Sequence, residues 1–260
     1  MKKNALKVSV IIPYYNADKW ISRCLDSLLN QDMDEDEYEI IVVDDGSSEP
    51  TPVLDRYVDE HPAVKCLHQE NARQGAARNK GMLEACGEYI LFCDADDMVA
   101  PNMLGTLCDL ASRNHLEVLF HNYLTVPIGA EPTLPKSQAI PEMSNPTTGL
   151  EYITNPPHSF LLVPWIYVIN RNFLFEHNLM FPTDIIYRED SLFFLNMLEK
   201  AERVAHVDVD FYYYIQIPSS IVHQGRKKNA AGYQKGQYTY IEKLTSLVQN
   251  TPPPSGKDNQ

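Results

Sequence analysis

Tyr89-Ile90-Leu91-Phe92-Cys93-Asp94-Ala95-Asp96-Asp97 decides how this chain is read: an apolar run that ends abruptly in three carboxylates. A short run with aromatic and β-branched residues reads as a buried strand. Open α/β sheets place their ligands at the C-terminal ends of such strands. On an extended backbone, side chains two apart point the same way, so Asp94 and Asp96 are expected to face one side together. Two converging carboxylates repel unless a cation lies between them. Hard divalent ions with oxygen ligands, Mg²⁺ or Mn²⁺, meet that need and usually bring substrate phosphates, which points to a diphosphate ligand. Alone, Asp-x-Asp is as readily a solvated acidic loop, so its neighbours in sequence must decide.

Two further strands end in polar, ligand-capable residues: Val8-Ser9-Val10-Ile11-Ile12-Pro13-Tyr14-Tyr15-Asn16 and Tyr38-Glu39-Ile40-Ile41-Val42-Val43-Asp44-Asp45-Gly46-Ser47-Ser48. Between them Trp20, Ile21, Cys24, Leu25, Leu28 and Leu29 mark one face of a helix that Asn16 or Asp18 can cap. A helix follows from Thr51-Pro52, then a strand Val64–His68 and a helix from about Ala76, with Gly87 as its stop. Pro101 is suited to open the next helix, and Glu117–Phe120 reads as a strand. Alternation at this spacing predicts an α/β fold of βαβ units, a mostly parallel sheet with helices on both faces. From Val126 to Pro164, prolines punctuate a segment without regular pattern, the kind that forms functional loops. Tyr187-Arg188-Glu189-Asp190 then opens an apolar helix from Ser191 to Leu198, followed by two strands, Arg203–Val209 and Phe211–Ile215. Tyr233, Tyr240, Ile241, Leu244, Leu247 and Val248 sit at helical spacing, and a flexible tail is expected from Thr251.

At 260 residues the chain can bury a sizeable core. A net charge of −13 argues against general binding to nucleic acid or anionic membranes. A phosphate-bearing ligand would therefore need local positive charge, from a metal or from Arg73, Arg78 and Lys80. The five cysteines are scattered and form no Cys-x-x-Cys pair, as in small buried hydrophobes of a reducing compartment. The run after Met1-Lys2-Lys3 is broken by Pro13, and Phe160 to Ile169 is broken by Pro164. Neither reads as a signal peptide or a membrane span, so a soluble, cytoplasmic protein is expected.

In order along the chain, Val8–Tyr15, Val42–Ser47, Gly75-Ala76-Ala77-Arg78-Asn79-Lys80-Gly81, Asp94-Ala95-Asp96-Asp97 and Glu189-Asp190 resemble the motifs of a family 2 inverting glycosyltransferase of the GT-A fold. The match runs from about Lys7 to His223. Two positions depart from it: Arg73 stands where relatives often have glycine, and Tyr167 where they often have a basic residue. The resemblance implies a single GT-A domain over residues 1–225, with a nucleotide-sugar half to about 125 and an acceptor half beyond, then a C-terminal helix and tail over 226–260. It implies transfer from a nucleotide-sugar, a UDP-sugar, to a hydroxyl of a sugar or lipid-linked glycan in polysaccharide or cell-surface glycan synthesis. It is compatible with peripheral contact at the inner face of a membrane. A nucleotidyltransferase would show a glycine-rich loop after the first strand, where Pro13-Tyr14-Tyr15-Asn16 has none; an inactive binding module would not need Asp96 and Asp190 intact.

By the same resemblance, Pro13, Tyr15 and Asn16 line the base pocket, with Tyr15 stacking on uracil or standing only as a core-edge tyrosine. Asp44 accepts the ring N–H of the base, and Asp45 with Gly46 shapes the turn beside it, although Asp-Asp-Gly-Ser is also good plain turn chemistry. Gly75, Arg78 and Asn79 open a helix whose free N–H groups and arginine fork suit a diphosphate; the alternative is an exposed arginine on a helix face. Asp94 and Ala95 approach the ribose or donor sugar, Asp96 the metal, and His223 completes the metal shell, while Asp97 caps the next turn. Asp190 is the general base, because inversion needs a proton acceptor opposite the leaving diphosphate. The competing assignment is a first-turn acidic pair with Glu189. Glu189 and Trp165 are placed at the acceptor, though Trp165 could equally be core.

Overall fold

The sheet is built from strands so apolar that they must be covered on both faces. In the computed structural model, which describes residues 5–130, 132, 142–155, 162–216 and 230–250, β1 (Val8–Tyr14), β2 (Tyr38–Asp44) and β4 (Tyr89–Phe92) are almost wholly buried. With β3 (Val64–His68) they form four parallel strands in the order β3-β2-β1-β4. The helices α1 (Asp18–Leu29), α2 (Pro52–Glu60) and α3 (Arg73–Glu84) supply the crossovers. Tyr14 lies opposite Asp44 and Ile11 opposite Phe92, so the polar ends of β1, β2 and β4 share one edge of the sheet.

Beyond β4 the sheet turns mixed. A two-residue strand β5 (Met98–Val99), helix α4 (Leu104–Arg113) and strand β6 (Val118–Pro127) come next. They are followed by α5 (Gly149–Thr154), a 3₁₀ turn Pro164–Ile166, β7 (Tyr167–Asn170), α6 (Arg171–Glu176), α7 (Glu189–Lys200) and β8 (Val204–Gln216). The complete order is β3-β2-β1-β4-β7-β6-β8-β5, with β7 antiparallel to both of its neighbours. A last helix, α8 (Ala230–Asn250), packs on α7 through Leu247 and a 2.8 Å Lys243–Glu199 ion pair. No helix among the described residues is long and apolar enough to cross a membrane.

Several element limits differ from expectation, each for a physical reason. The pair Arg203–Val209 and Phe211–Ile215 is one strand, β8, and β6 runs on past Phe120 to Pro127; polar Asn122, Asp208 and Asp210 mark register shifts in a continuous ladder rather than strand ends. Helix α4 begins at Leu104, three residues after Pro101, because Gln31 and Asp32 cap it from the end of α1: Gln31 Oε1 accepts from Met103 N and Leu104 N, and Asp32 Oδ1 accepts from Gly105 N at 2.7 Å. Asp18 does not cap α1. Its Oδ1 accepts from Val53 N and Leu54 N, at 3.1 and 3.2 Å, and so serves α2. Helix α3 starts at Arg73 rather than near Ala76, and ends before Gly87. Gly87 serves a close approach instead: a Cβ there would lie 2.5 Å from the β1 backbone. Within the irregular region, α5 carries a reciprocal cap between Thr148 and Glu151. His223 and the tail from Thr251 lie outside the described residues.

Candidate active site

The candidate site begins where β1 and β2 end together. Asn16 adopts φ 49°, and its Oδ1 accepts from Ser48 N (2.9 Å) and Glu49 N (3.2 Å), so it ties the two strand ends together. Tyr14 is buried while Tyr15 is 49% exposed, which leaves the Tyr15 ring available at the edge, beside half-buried Pro13. Asp44 is nearly buried; its Oδ1 accepts from Ser47 N at 3.0 Å and its Oδ2 lies 3.1 Å from His68 Nδ1. His68, at the end of β3, was not singled out in the sequence, because only strand pairing brings it beside Asp44. Asp45 turns away from the edge: its Oδ1 accepts from Gln69 Nε2 and Ala72 N, both at 2.7 Å, and so fixes the entry to α3. Gly46 is required there, since φ is 75° and a Cβ would come 2.8 Å from Asn71 N.

At the end of β4 the backbone does not stay extended. Asp97 N bonds back to Asp94 O at 3.1 Å, so Asp94 to Asp97 form a turn, and the same-face argument for Asp94 and Asp96 gives way to this geometry. Tyr212 of β8 organises the turn: Asp94 N donates to its hydroxyl (3.0 Å), which donates to Asp97 Oδ2 (2.7 Å), while Ile215 N donates to Asp97 Oδ1 (2.7 Å). Asp97 thus anchors the turn to β8. Burial first, then the charges of Asp94 and Asp96, push its carboxyl up to about 8. Burial and Asp94 likewise raise Asp96 to about 6. Arg23, whose charge acts against that rise, gives its Nη2 to the main-chain oxygen of Asp96 at 2.6 Å rather than to the carboxylate. Ala95 is buried within the turn.

The α3 residues divide. Arg78 is 1% exposed, not a surface arginine; its Nη2 donates to Asp94 Oδ1 at 2.9 Å, and its Nε and Nη1 are buried without a partner. Asn79 is not free for a ligand. Its Nδ2 donates to Phe181 O (2.9 Å) and its Oδ1 accepts from Phe181 N (2.8 Å), pinning the segment that leads to α7. Gly75 is buried where α3 meets α7, with Glu189 Cγ 3.5 Å from where a Cβ would be. Of the remaining cations, Lys80 donates to His68 O and Arg73 is exposed with φ 73°, a backbone conformation that glycine adopts freely.

On the acceptor side, α7 is entered through Arg188, which takes φ 71° as N-cap and makes no capping side-chain bond. Glu189 is 6% exposed and its Oε1 accepts from Gln74 Nε2 at 2.7 Å. Asp190 is half-buried; its Oδ1 accepts from Ser191 N (2.7 Å) and Ser191 Oγ (3.4 Å), so it serves one helix N–H from inside the first turn rather than as the cap. Burial raises both carboxyls; the positive charge of Arg78 is the largest opposing influence on Asp190. Trp165 is only 7% exposed, stacked on Tyr212 (4.4 Å, 8°) and nearly coplanar with Tyr214. Its placement at the acceptor is therefore corrected to a place in the buried aromatic ladder behind the carboxylate turn. Tyr167 is wholly buried and stacks on Phe194, so a cation would be unfavourable at that position.

Among the described residues no group of three or more His, Cys, Asp or Glu side chains is arranged to hold a metal ion. The turn nevertheless suits a hard cation, because Asp96 is a carboxylate raised by burial and by a like charge. Mg²⁺ and similar ions bind through one or two carboxylates and complete their shells with water and phosphate.

The profile described as "Glycosyl transferase family 2" matches residues 9–206. The chain belongs to this family. It is 32% identical over 219 residues to the uncharacterized glycosyltransferase EpsJ of Bacillus subtilis (strain 168), covering 82% of this chain and 62% of that protein. It is 29% identical over 215 residues to a poly(ribitol-phosphate) beta-glucosyltransferase of Bacillus spizizenii, covering 81% of this chain and 32% of the relative. Among solved structures, S. aureus TarS 1-349 in complex with UDP-GlcNAc superposes with a TM-score of 0.73 at 25% identity, over 95% of this chain and 68% of that one. The α/β architecture is thus the GT-A fold, and the chain spans less than two thirds of the length of these two curated relatives.

Proposed function

We propose that this family 2 glycosyltransferase moves a sugar from a UDP-sugar to a hydroxyl of a cell-surface glycan, inverting the anomeric configuration. The observation that carries this reading is that one buried cation serves both halves of the site: Arg78 bonds Asp94 and its charge acts on Asp190. The donor carboxylates and the candidate base are thereby held around one cation. The TarS complex with UDP-GlcNAc and the poly(ribitol-phosphate) enzyme support the donor and acceptor classes.

Tyr15 stacks on the uracil, and the Asp44–His68 pair offers its carboxylate to the ring N–H. Asp94, held by Arg78, faces the ribose or donor sugar. A divalent cation bound by Asp96, with an Asp94 oxygen, would neutralise charge on the leaving diphosphate. Asp190 takes the proton of the acceptor hydroxyl as its oxygen bonds the anomeric carbon and the bond to the diphosphate breaks. An α-linked donor then yields a β-glycoside. The upward shift of Asp190 by burial suits a base, since proton acceptors work best with pKa values near the operating pH.

The test is a panel of UDP-sugars assayed for UDP release with Mn²⁺ and with EDTA, alongside calorimetry of UDP, GDP and ADP. One UDP-sugar is expected to turn over, with activity lost in EDTA and UDP bound best. A hydrogen bond to a charged acceptor contributes about 1.5–3 kcal/mol, so Asp44→Ala should weaken UDP more than tenfold. Equal affinity for the three nucleotides refutes the base pocket, and equal turnover in EDTA refutes the metal.

A further inference from the structure

We propose that Gln74 is a positioning residue that ties the base-bearing helix α7 to the donor half, so that Glu189 and Asp190 are set relative to Asp94. This rests on the glycosyltransferase reading above. The chain of contacts runs from Asp94 Oδ1 to Arg78 Nη2 (2.9 Å), from Arg78 Nη2 to Gln74 Oε1 (3.4 Å), and from Gln74 Nε2 to Glu189 Oε1 (2.7 Å). The amide orientation follows from charge: its oxygen faces the guanidinium and its nitrogen the carboxylate.

Three features make this contact more than an incidental surface bond. Glu189 is buried, and a buried carboxylate requires donors; beside a backbone N–H of its own helix end it takes a side-chain donor from 115 positions away. The start of α7 has no cap of its own, because Arg188 occupies the N-cap in a left-handed conformation without a side-chain bond. Its pose must therefore be set by tertiary contacts. α3 approaches Glu189 and Phe181 so closely at Gly75 that a Cβ there would lie 3.5 Å from each, and Asn79 pins Phe181 at two points, so α3 is a rigid base for the Gln74 amide. Gln74 itself is exposed, and nothing in core packing depends on it.

The experiment is steady-state kinetics of full-length Gln74→Met, which keeps the side chain's length and removes its hydrogen bonds, with melting temperature measured on the same samples. Small displacements of reacting groups cost up to about a hundredfold in rate. The expected result is a kcat lowered on the order of ten- to a hundredfold with donor KM within about twofold, beside the small fall in melting temperature that follows from leaving buried Glu189 short of a donor. In a Glu189→Leu background, Gln74→Met should lower kcat by less than about twofold further, since residues acting through one contact are not additive. The inference is overturned by a Gln74→Met kcat close to wild type, by a loss that falls on donor KM, or by independent losses that multiply in the double variant. Wild-type turnover separates the two levels. If no UDP-sugar is turned over by the wild type, the glycosyltransferase reading fails; if the wild type and Gln74→Met turn over alike, only the role of Gln74 fails.

Discussion

The proposed donor side, at the ends of β1 and β2, and the proposed acceptor side, at the entry to α7, are assembled over different distances along the chain. On the donor side, Asp44 bonds Ser47 three positions away and His68 twenty-four away, and Asn16 reaches Ser48 across 32 positions. On the acceptor side, Gln74 meets Glu189 across 115 positions and Asn79 meets Phe181 across 102. Short-range sites can be read from motif and strand pattern, because parallel pairing of consecutive βαβ units brings the strand ends together automatically. Long-range sites depend on which helix faces which, and that is decided by packing.

The strongest way to break this contrast is Asp190→Asn, which keeps shape and the bond to Ser191 but removes basicity. A lost general base costs about 10²–10⁴-fold in rate, and donor affinity should stay nearly constant in calorimetry. Turnover retained within a few-fold would make Asp190 a structural residue and remove the chemistry from the acceptor side. Next in size is Trp165→Ala. A buried, stacked indole predicts a loss of about 3–5 kcal/mol in denaturation. An unchanged melting point with a raised acceptor KM would instead return Trp165 to the acceptor.

Two buried groups should respond to pH in opposite senses. His121 in β6 is buried with Nε2 unpaired, and burial lowers it to about 4. Its contribution to stability is present above the unfolded value near 6.5 and is lost as pH falls towards 4, a loss on the order of 3 kcal/mol. Asp96 acts in the opposite sense: its raised carboxyl contributes below its ordinary value of 3.8, and the contribution is lost as pH rises through about 6. Urea denaturation between pH 4 and 8 should show a falling acid limb that His121→Leu flattens. The smallest effect is expected for Arg73→Gly. Relief of a left-handed backbone is worth roughly 1 kcal/mol, partly offset by glycine's freedom in the unfolded chain. A higher melting temperature with unchanged kcat would locate that departure from the family in the backbone rather than in substrate choice.

Much of the site was legible because each motif is local: an apolar strand followed by Asp-Asp-Gly-Ser or Asp-Ala-Asp-Asp carries both its position and its chemistry. What escaped were residues whose type is common and whose role depends on a distant partner. Gln74 adjoins a quoted motif, Tyr212 lies in an aromatic strand, and His68 closes β3, yet none carries a signal apart from its neighbours. Asn79 and Asp45 show what a motif leaves open. They stand within motifs, but their polar atoms are used by Phe181 and by the entry to α3.

The sequence by itself determined the α/β alternation, the strands whose ends carry the candidate site and the family, because hydrophobic periodicity and short polar motifs are properties of neighbouring residues. Only the tertiary structure decided that Arg78 is a buried counter-ion, that Trp165 is buried among aromatic rings and that Gln74 bridges to α7. Burial and charge compensation are set by what the fold brings alongside a residue, and no local pattern encodes them.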